Sequence, residues 1–221
     1  AGAPSTITFA SYNICMTEPW CSNMSGAPSL QNRTRDVYAR IRTVNADVIA
    51  IQEGSGLFNG VADLKYTTKG APAPVMNNAA IDNPLGQVSK YLTAANVGKN
   101  YVVAFKPGEH GSGIGIYVNT QKLDFVRNGS GVIDTRTVRV GTDPEVKATK
   151  AIERKTPRYA IFVQLRDKAT GYQFWVGNTH LSDGSQKEEK AARVSQVKAM
   201  SSTIKSFGST PVVLLGDVNE A

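Results

Sequence analysis

Four apolar runs in this sequence end in residues that can bind a cation or a phosphate: Ser11-Tyr12-Asn13, Ile51-Gln52-Glu53, Asn178-Thr179-His180 and Gly216-Asp217-Val218-Asn219. Carboxylate and carboxamide oxygens are hard donors suited to Mg²⁺ or Ca²⁺, with Mn²⁺ a further option. Zinc favours more imidazole or thiolate than a lone histidine supplies. Singly, each ending has a plainer explanation. A Glu after a strand is usually a surface residue or a helix cap, and a Gly-Asp pair usually turns the chain. Four such endings on separate runs are far harder to obtain by accident. If the runs are strands lying side by side, Asn13, Glu53, His180, Asp217 and Asn219 meet at one edge of the sheets. Such a constellation can hold a divalent cation and work on a phosphate ester.

Bringing those ends together is the task of the elements around them. Residues 6–13 read as a strand, and residues 47–53 as a short buried strand that delivers a carboxylate at its C-terminal end. Between them Val37, Ile41 and Val44 recur at i, i+4 and i+7, the period of an amphipathic helix over residues 33–45. Residues 54–86 are rich in Gly, Asn, Pro and Ala and read as a long loop bordering Glu53, with a short helix at 88–97. Strands are expected at 101–105, 113–118 and 123–127, and a polar loop across 134–157. A hairpin joins strands at 158–166 and 172–179 through Asp167-Lys168-Ala169-Thr170-Gly171. Residues 188–206 read as a helix with Val194, Val197, Met200 and Ile204 on one side, and residues 211–217 as a last buried strand. No repeat or linker interrupts the pattern, so residues 1–221 read as one α/β domain of mixed sheets covered by helices.

The composition agrees. A chain of 221 residues with 41% hydrophobic and 19% charged residues has ample material for a core. No apolar stretch is long enough for a membrane-spanning helix. The 25 Lys and Arg outnumber the 18 Asp and Glu, and the resulting +7 favours a polyanionic partner. The start, Ala1-Gly2-Ala3-Pro4-Ser5, is what remains after removal of a signal peptide, although a trimmed chain would look the same. The only two cysteines, Cys15 and Cys21, are expected to close a small disulfide ring worth about 2 kcal/mol in an oxidising compartment. Export is the expectation that follows.

The order and spacing of the four endings resemble the endonuclease/exonuclease/phosphatase superfamily, over about residues 6–219. Gln52-Glu53 and Gly216-Asp217-Val218-Asn219 are the most specific elements. The resemblance implies a four-layer α/β sandwich, two packed mixed β-sheets flanked by helices, and a metal-dependent phosphoesterase; most members cleave phosphodiesters. Carried over by position, Glu53 corresponds to the principal metal ligand, with Asn13 assisting. Asp217 corresponds to the group that orients or deprotonates water, with Asn219 beside it, and His180 to the histidine that contacts the scissile phosphate. Arg158 and Asn178 are the expected phosphate contacts, with Arg154 and Lys155 as alternatives to Arg158. Glu109-His110 reads better as a surface loop, and Tyr12 and Trp20 as packing aromatics.

The superfamily pattern continues to a closing Ser-Asp-His-like element. This sequence ends at Ala221, and its only histidines are His110 and His180. The expectation is therefore of a fragment whose remaining segment is separate or lost. The leading functional expectation is a secreted, monomeric, Mg²⁺-dependent nuclease acting on DNA or RNA. The alternatives are a sphingomyelinase-type phospholipid phosphodiesterase and a non-catalytic nucleic-acid-binding relative. Salt separates the first two, because phosphate-backbone binding weakens steeply with ionic strength and binding to a zwitterionic lipid does not.

Overall fold

The structure, a computed structural model, describes residues 6–15, 26, 36, 39–41, 43–54, 99–105, 113–144 and 157–220. Two mixed sheets dominate it. In the first, β1 (Phe9–Asn13) runs parallel to β2 (Val48–Gln52), which pairs antiparallel with β4 (Gly115–Asn119), itself antiparallel to β3 (Tyr101–Phe105). In the second, β7 (Pro157–Asp167) and β8 (Gln173–His180) form the expected hairpin, and β9 (Val212–Asp217) adds in parallel to β8. The other side of β7 is shared end to end: β5 (Leu123–Phe125) pairs with its last residues and β6 (Thr135–Thr142) with its first.

Strands covered on both faces carry near-continuous apolar runs, and the five residues of β2 and of β4 are all buried, each strand ending in one hydrogen-bonded carboxamide, Gln52 and Asn119. Along β7 the two-residue period splits the side chains between two layers. Ile161, Val163 and Leu165 face the first sheet, where they meet Val48, Ile116 and Val118. Ala160 and Phe162 face helix α1 (Lys187–Ser206), whose Met200 packs with them and with Trp175. Phe9 and Phe174 meet edge to face across the sandwich, with ring centroids 6.0 Å apart. Beyond the helix end, Phe207 stacks on Trp175 with centroids 4.1 Å apart. Gly177 admits this layer, because a Cβ there would lie 2.5 Å from the Phe162 ring.

At the end of the sandwich where β2 begins, a polar cluster closes the core. Asp47, 3% exposed, accepts from Thr8 N and Oγ1, Asn119 Nδ2 and Lys122 Nζ. Burial pushes its carboxyl up, but these donors outweigh that and hold it below the ordinary value. Thr8 spends its backbone here, and β1 accordingly starts at Phe9 rather than at residue 6.

Three other expectations change. Residues 135–142 are a strand, not a loop: Val138 and Val140 pack toward α1, Arg136 on the same face lies over the Trp175 ring, and Thr137 and Arg139 face solvent, so a sheet edge reads as polar. On α1 the buried residues are Arg193, Gln196 and Met200, whereas Val194 and Val197 are 55% and 45% exposed. In the helical turn before β2, Ile41 is buried but Val44 is exposed. The long loop after Gly54, the helix at 88–97, Val37, Trp20, Cys21, Glu109, His110, Arg154 and Lys155 lie outside the described residues. The Cys15–Cys21 bridge therefore does too; no described cysteine is a free thiol. No helix among the described residues is long and apolar enough to cross a membrane.

Candidate active site

Three strands carry the same succession of residues toward one end of the sandwich. On β1, Phe9, Ser11 and Asn13 share a face; on β8, Val176, Asn178 and His180 do; on β9, Leu215 and Asp217 do. The first residue of each set packs in the apolar core between the sheets. The next residue on β1 and β8 is polar and turns to the opposite sheet, and the last of each set stands at the mouth. Parallel pairing puts the mouths level, with Asn13 opposite Gln52 and His180 opposite Asp217.

The middle layer is a polar stitch between the sheets. Gln52 Nε2 donates to Asn178 Oδ1 at 2.7 Å and to Ser11 Oγ at 3.3 Å. Asn178 Nδ2 donates to the carbonyls of Ile51 and Gly115, both at 2.9 Å, and Gly216 N donates to Ser11 Oγ at 3.0 Å. Gly216 has φ 147°, and a Cβ there would sit 2.4 Å from Thr179 O, so only glycine passes.

Above the stitch, Asn13 Nδ2 donates to Glu53 Oε1 and to Asp217 Oδ2, each at 2.9 Å, drawing a carboxylate from each sheet to one carboxamide. His180 Nε2 lies 3.9 Å from each of those oxygens, beyond hydrogen-bond length. Glu53 and Asn219 both have left-handed backbone, φ 54° and 51°, an uncommon conformation that costs of order 1–3 kcal/mol and turns each chain out of its sheet. Asn219 is held by its N donating to Asp217 Oδ1 and its Nδ2 donating to Leu181 O. A cleft of about 520 Å³ opens beside Asn13, Asp217 and Asn219.

His180 is 5% exposed, and its buried Nδ1 has no hydrogen-bond partner in the described structure. Burial first, and the Arg158 charge second, lower its pKa below 6.5, against the opposing pull of Glu53, Asp217 and Asp183. The imidazole is thus mostly neutral at pH 7. Arg158 is itself 7% exposed, with Nε donating to Asp143 Oδ1 at 2.7 Å and Nη2 3.6 Å from Asp183. Asp143 also accepts from Ser182 Oγ at 2.6 Å.

Sequence reasoning thus places Asn13, Glu53, His180, Asp217 and Asn219 together, as found. Asn178 departs from its expected contact with phosphate: it is wholly buried, one pleat deeper than His180, and its carboxamide is spent between the sheets. Arg158 stands near His180, tied to Asp143. Gln52 and Ser11 belonged to the motifs without a role. Asp143, Ser182, Arg193 and Gln196 were missed; the spacing of Arg193, Gln196 and Met200 at i, i+3 and i+7 is a signal for the two helix residues, and Asp143 and Ser182 carry none. Among the described residues no three His, Cys, Asp or Glu side chains form a ready metal cage. The chemistry of the donors nevertheless fits a hard divalent ion: two carboxylates converge with a single imidazole, a set too poor in nitrogen and sulfur for zinc, while Asn13 turns its Nδ2 to both carboxylates and its Oδ1 accepts from Cys15 N at 3.0 Å.

No protein-family model and no curated protein matches the sequence. Solved structures do match in fold. A mannosyl-6-phosphatase of Bacteroides thetaiotaomicron is 21% identical with a TM-score of 0.57, over 97% of this chain and 66% of its own. An endonuclease/exonuclease/phosphatase family protein of the same organism is 20% identical with a TM-score of 0.59, over 99% and 65%. The D. rerio TDP2 complexed with a single-strand DNA product is 15% identical with a TM-score of 0.54, over 97% and 61%. The chain thus spans about two thirds or less of the length of each. Its fold is that of the endonuclease/exonuclease/phosphatase proteins.

Proposed function

We propose that this chain is an exported, Mg²⁺-dependent phosphodiester hydrolase acting on DNA or RNA. The observation that carries the reading is the meeting of Glu53 and Asp217, one from each sheet, on Asn13 beside His180. Phosphodiester hydrolysis asks for a deprotonated water, neutralised non-bridging oxygens and a stabilised leaving oxygen. Glu53 would hold the ion, its carboxylate steadied by Asn13 Nδ2, and the ion when bound supplies positive charge to the phosphate oxygens. Asp217, oriented by Asn219 N on its Oδ1, accepts the proton of the attacking water. Neutral His180 keeps Nε2 at the mouth as a donor to a phosphate oxygen, and Arg158 adds a fixed positive charge close behind it. Support for nucleic acid comes from the +7 charge, which suits a polyanionic backbone, and from the TDP2 likeness, solved with a DNA product. Export and the Cys15–Cys21 bridge belong to the same proposal and rest on the close spacing of the two cysteines.

The test is hydrolysis of plasmid DNA, single-stranded RNA and a sugar monophosphate with Mg²⁺ or with EDTA. Cleavage of a nucleic acid that EDTA stops and Glu53→Ala lowers by about a hundredfold or more is expected. Turnover of the monoester alone would refute the phosphodiester reading. Retention of DNA without any product would make the chain a binding protein.

A further inference from the structure

Helix α1 turns two polar side chains inward where a helix covering a sheet ordinarily presents apolar ones. Arg193 is 5% and Gln196 1% exposed. Arg193 Nη1 donates to Ser182 O at 3.1 Å and to Gly184 O at 2.8 Å, in the segment that follows His180. Its Nε donates to Glu220 Oε2 at 3.0 Å, in the segment that follows Asp217 and Asn219. A single guanidinium thus spans the exits of β8 and β9. Gln196 fixes the first exit from beneath, accepting from Ser182 N at 3.0 Å and donating to Ser182 Oγ at 2.7 Å. Between these ties and the mouth, Leu181 N donates to Asp217 O, and Asn219 Nδ2 to Leu181 O.

A buried guanidinium is costly to desolvate, and an apolar side chain of similar volume would serve the helix–sheet contact at least as well. Stability alone therefore does not account for Arg193. The geometry points to another account: we propose that Arg193 is a positioning residue for the hydrolytic site, setting the separation of the His180 and Asp217–Asn219 exits. Only arginine suits the place, because its planar fork sends Nε and Nη1 to different acceptors, whereas lysine offers one nitrogen. The inference rests on the phosphodiester-hydrolase reading for its kinetics, though not for its structural readout.

The experiment compares the full chain with Arg193→Lys, Glu220→Gln and the double variant. kcat and KM are read separately on bis(p-nitrophenyl) phosphate with Mg²⁺, alongside melting temperature and the imidazole NMR signals of His180. His110, the only other histidine, is distinguished by His110→Gln. Folded Arg193→Lys is expected to lose about tenfold or more in kcat with KM within about twofold. Glu220→Gln should lose less and add little to Arg193→Lys, because both act on one tie. The His180 signals should shift in both single variants. A folded Arg193→Lys with unchanged kcat and unchanged His180 signals overturns the proposal, as does a loss confined to KM. If Arg193→Lys does not fold, Glu220→Ala, which removes the acceptor altogether, decides by the same signals, the Glu220 side chain being 66% exposed. If the unaltered chain cleaves no phosphodiester, the functional reading falls by itself. Shifted His180 signals would then still support the tie, and unshifted ones would reject it.

Discussion

Replacing Asn178 by alanine separates two roles that its sequence position leaves open, contact with phosphate and connection of the sheets. The side chain is wholly buried and takes part in three hydrogen bonds, one from Gln52 and one to each of the carbonyls of Ile51 and Gly115. Leaving a buried donor or acceptor unsatisfied costs about 1–3 kcal/mol. Gln52 Nε2 keeps Ser11 Oγ, at a longer 3.3 Å, so the two carbonyls bear most of the loss. The expected destabilisation is about 3 kcal/mol, a large part of the roughly 5–15 kcal/mol that holds a domain folded. For a chain of this size it lowers the melting temperature by roughly 6–12 °C. Urea titrations followed by far-ultraviolet circular dichroism would measure it. A double-mutant cycle with Gln52→Ala should return a coupling of about 1 kcal/mol. Asn178→Ala that costs under about 1 kcal/mol yet raises KM on a phosphodiester would refute the connection and restore the phosphate contact.

Three further outcomes are expected. Asp47 has a carboxyl pKa depressed in the folded state, so its stabilisation is complete above the unfolded value near 3.8 and is lost as pH falls through the folded value. Urea midpoints measured from pH 7 to pH 2 should therefore drop more steeply for the unaltered chain than for Asp47→Asn, and parallel curves would refute the assignment. Gly216→Ala should destabilise by about 2 kcal/mol or more, because its Cβ meets Thr179 O in a backbone conformation alanine avoids; an unchanged melting temperature would contradict this. Nuclease activity should fall about tenfold or more between roughly 50 and 200 mM salt while hydrolysis of bis(p-nitrophenyl) phosphate stays level, and equal salt dependence would argue against a nucleic-acid substrate.

The site was legible because Asn13, Glu53, His180 and Asp217 each follow an apolar run whose period fixes a strand, and parallel neighbours exit together. What escaped reading shares a physical cause. The alternation in β6 is carried by Thr, Arg and Val at a sheet edge with one wet face, so no contrast of apolar against polar marks it. The inward stripe of α1 includes Arg193 and Gln196, which a search for apolar periodicity passes over in favour of the exposed Val194 and Val197. Asn178 stands only two residues before His180 on the same face. That distance, one pleat, separates the closed interior from the mouth, and a motif does not encode depth.

The polar connections at the two ends of the sandwich bear on how the sheets could move. Contacts among Val48, Ile116, Ile161 and Val163 are non-directional, and two smooth apolar faces resist separation far more than they resist shear. Hydrogen bonds are directional, so the Gln52–Asn178 pair, which joins the two sheets, resists their sliding. The Asp47 cluster at the other end locks the first sheet to its own connections, whereas Gln52–Asn178 sets the phase of one sheet against the other. Because Glu53 rides on one sheet and Asp217 on the other, their spacing is inherited from that phase and not from the bulk of the side chains between. Apolar residues in the core can then exchange volume at a cost in stability while the two carboxylates stay in register, leaving packing and chemistry free to vary separately.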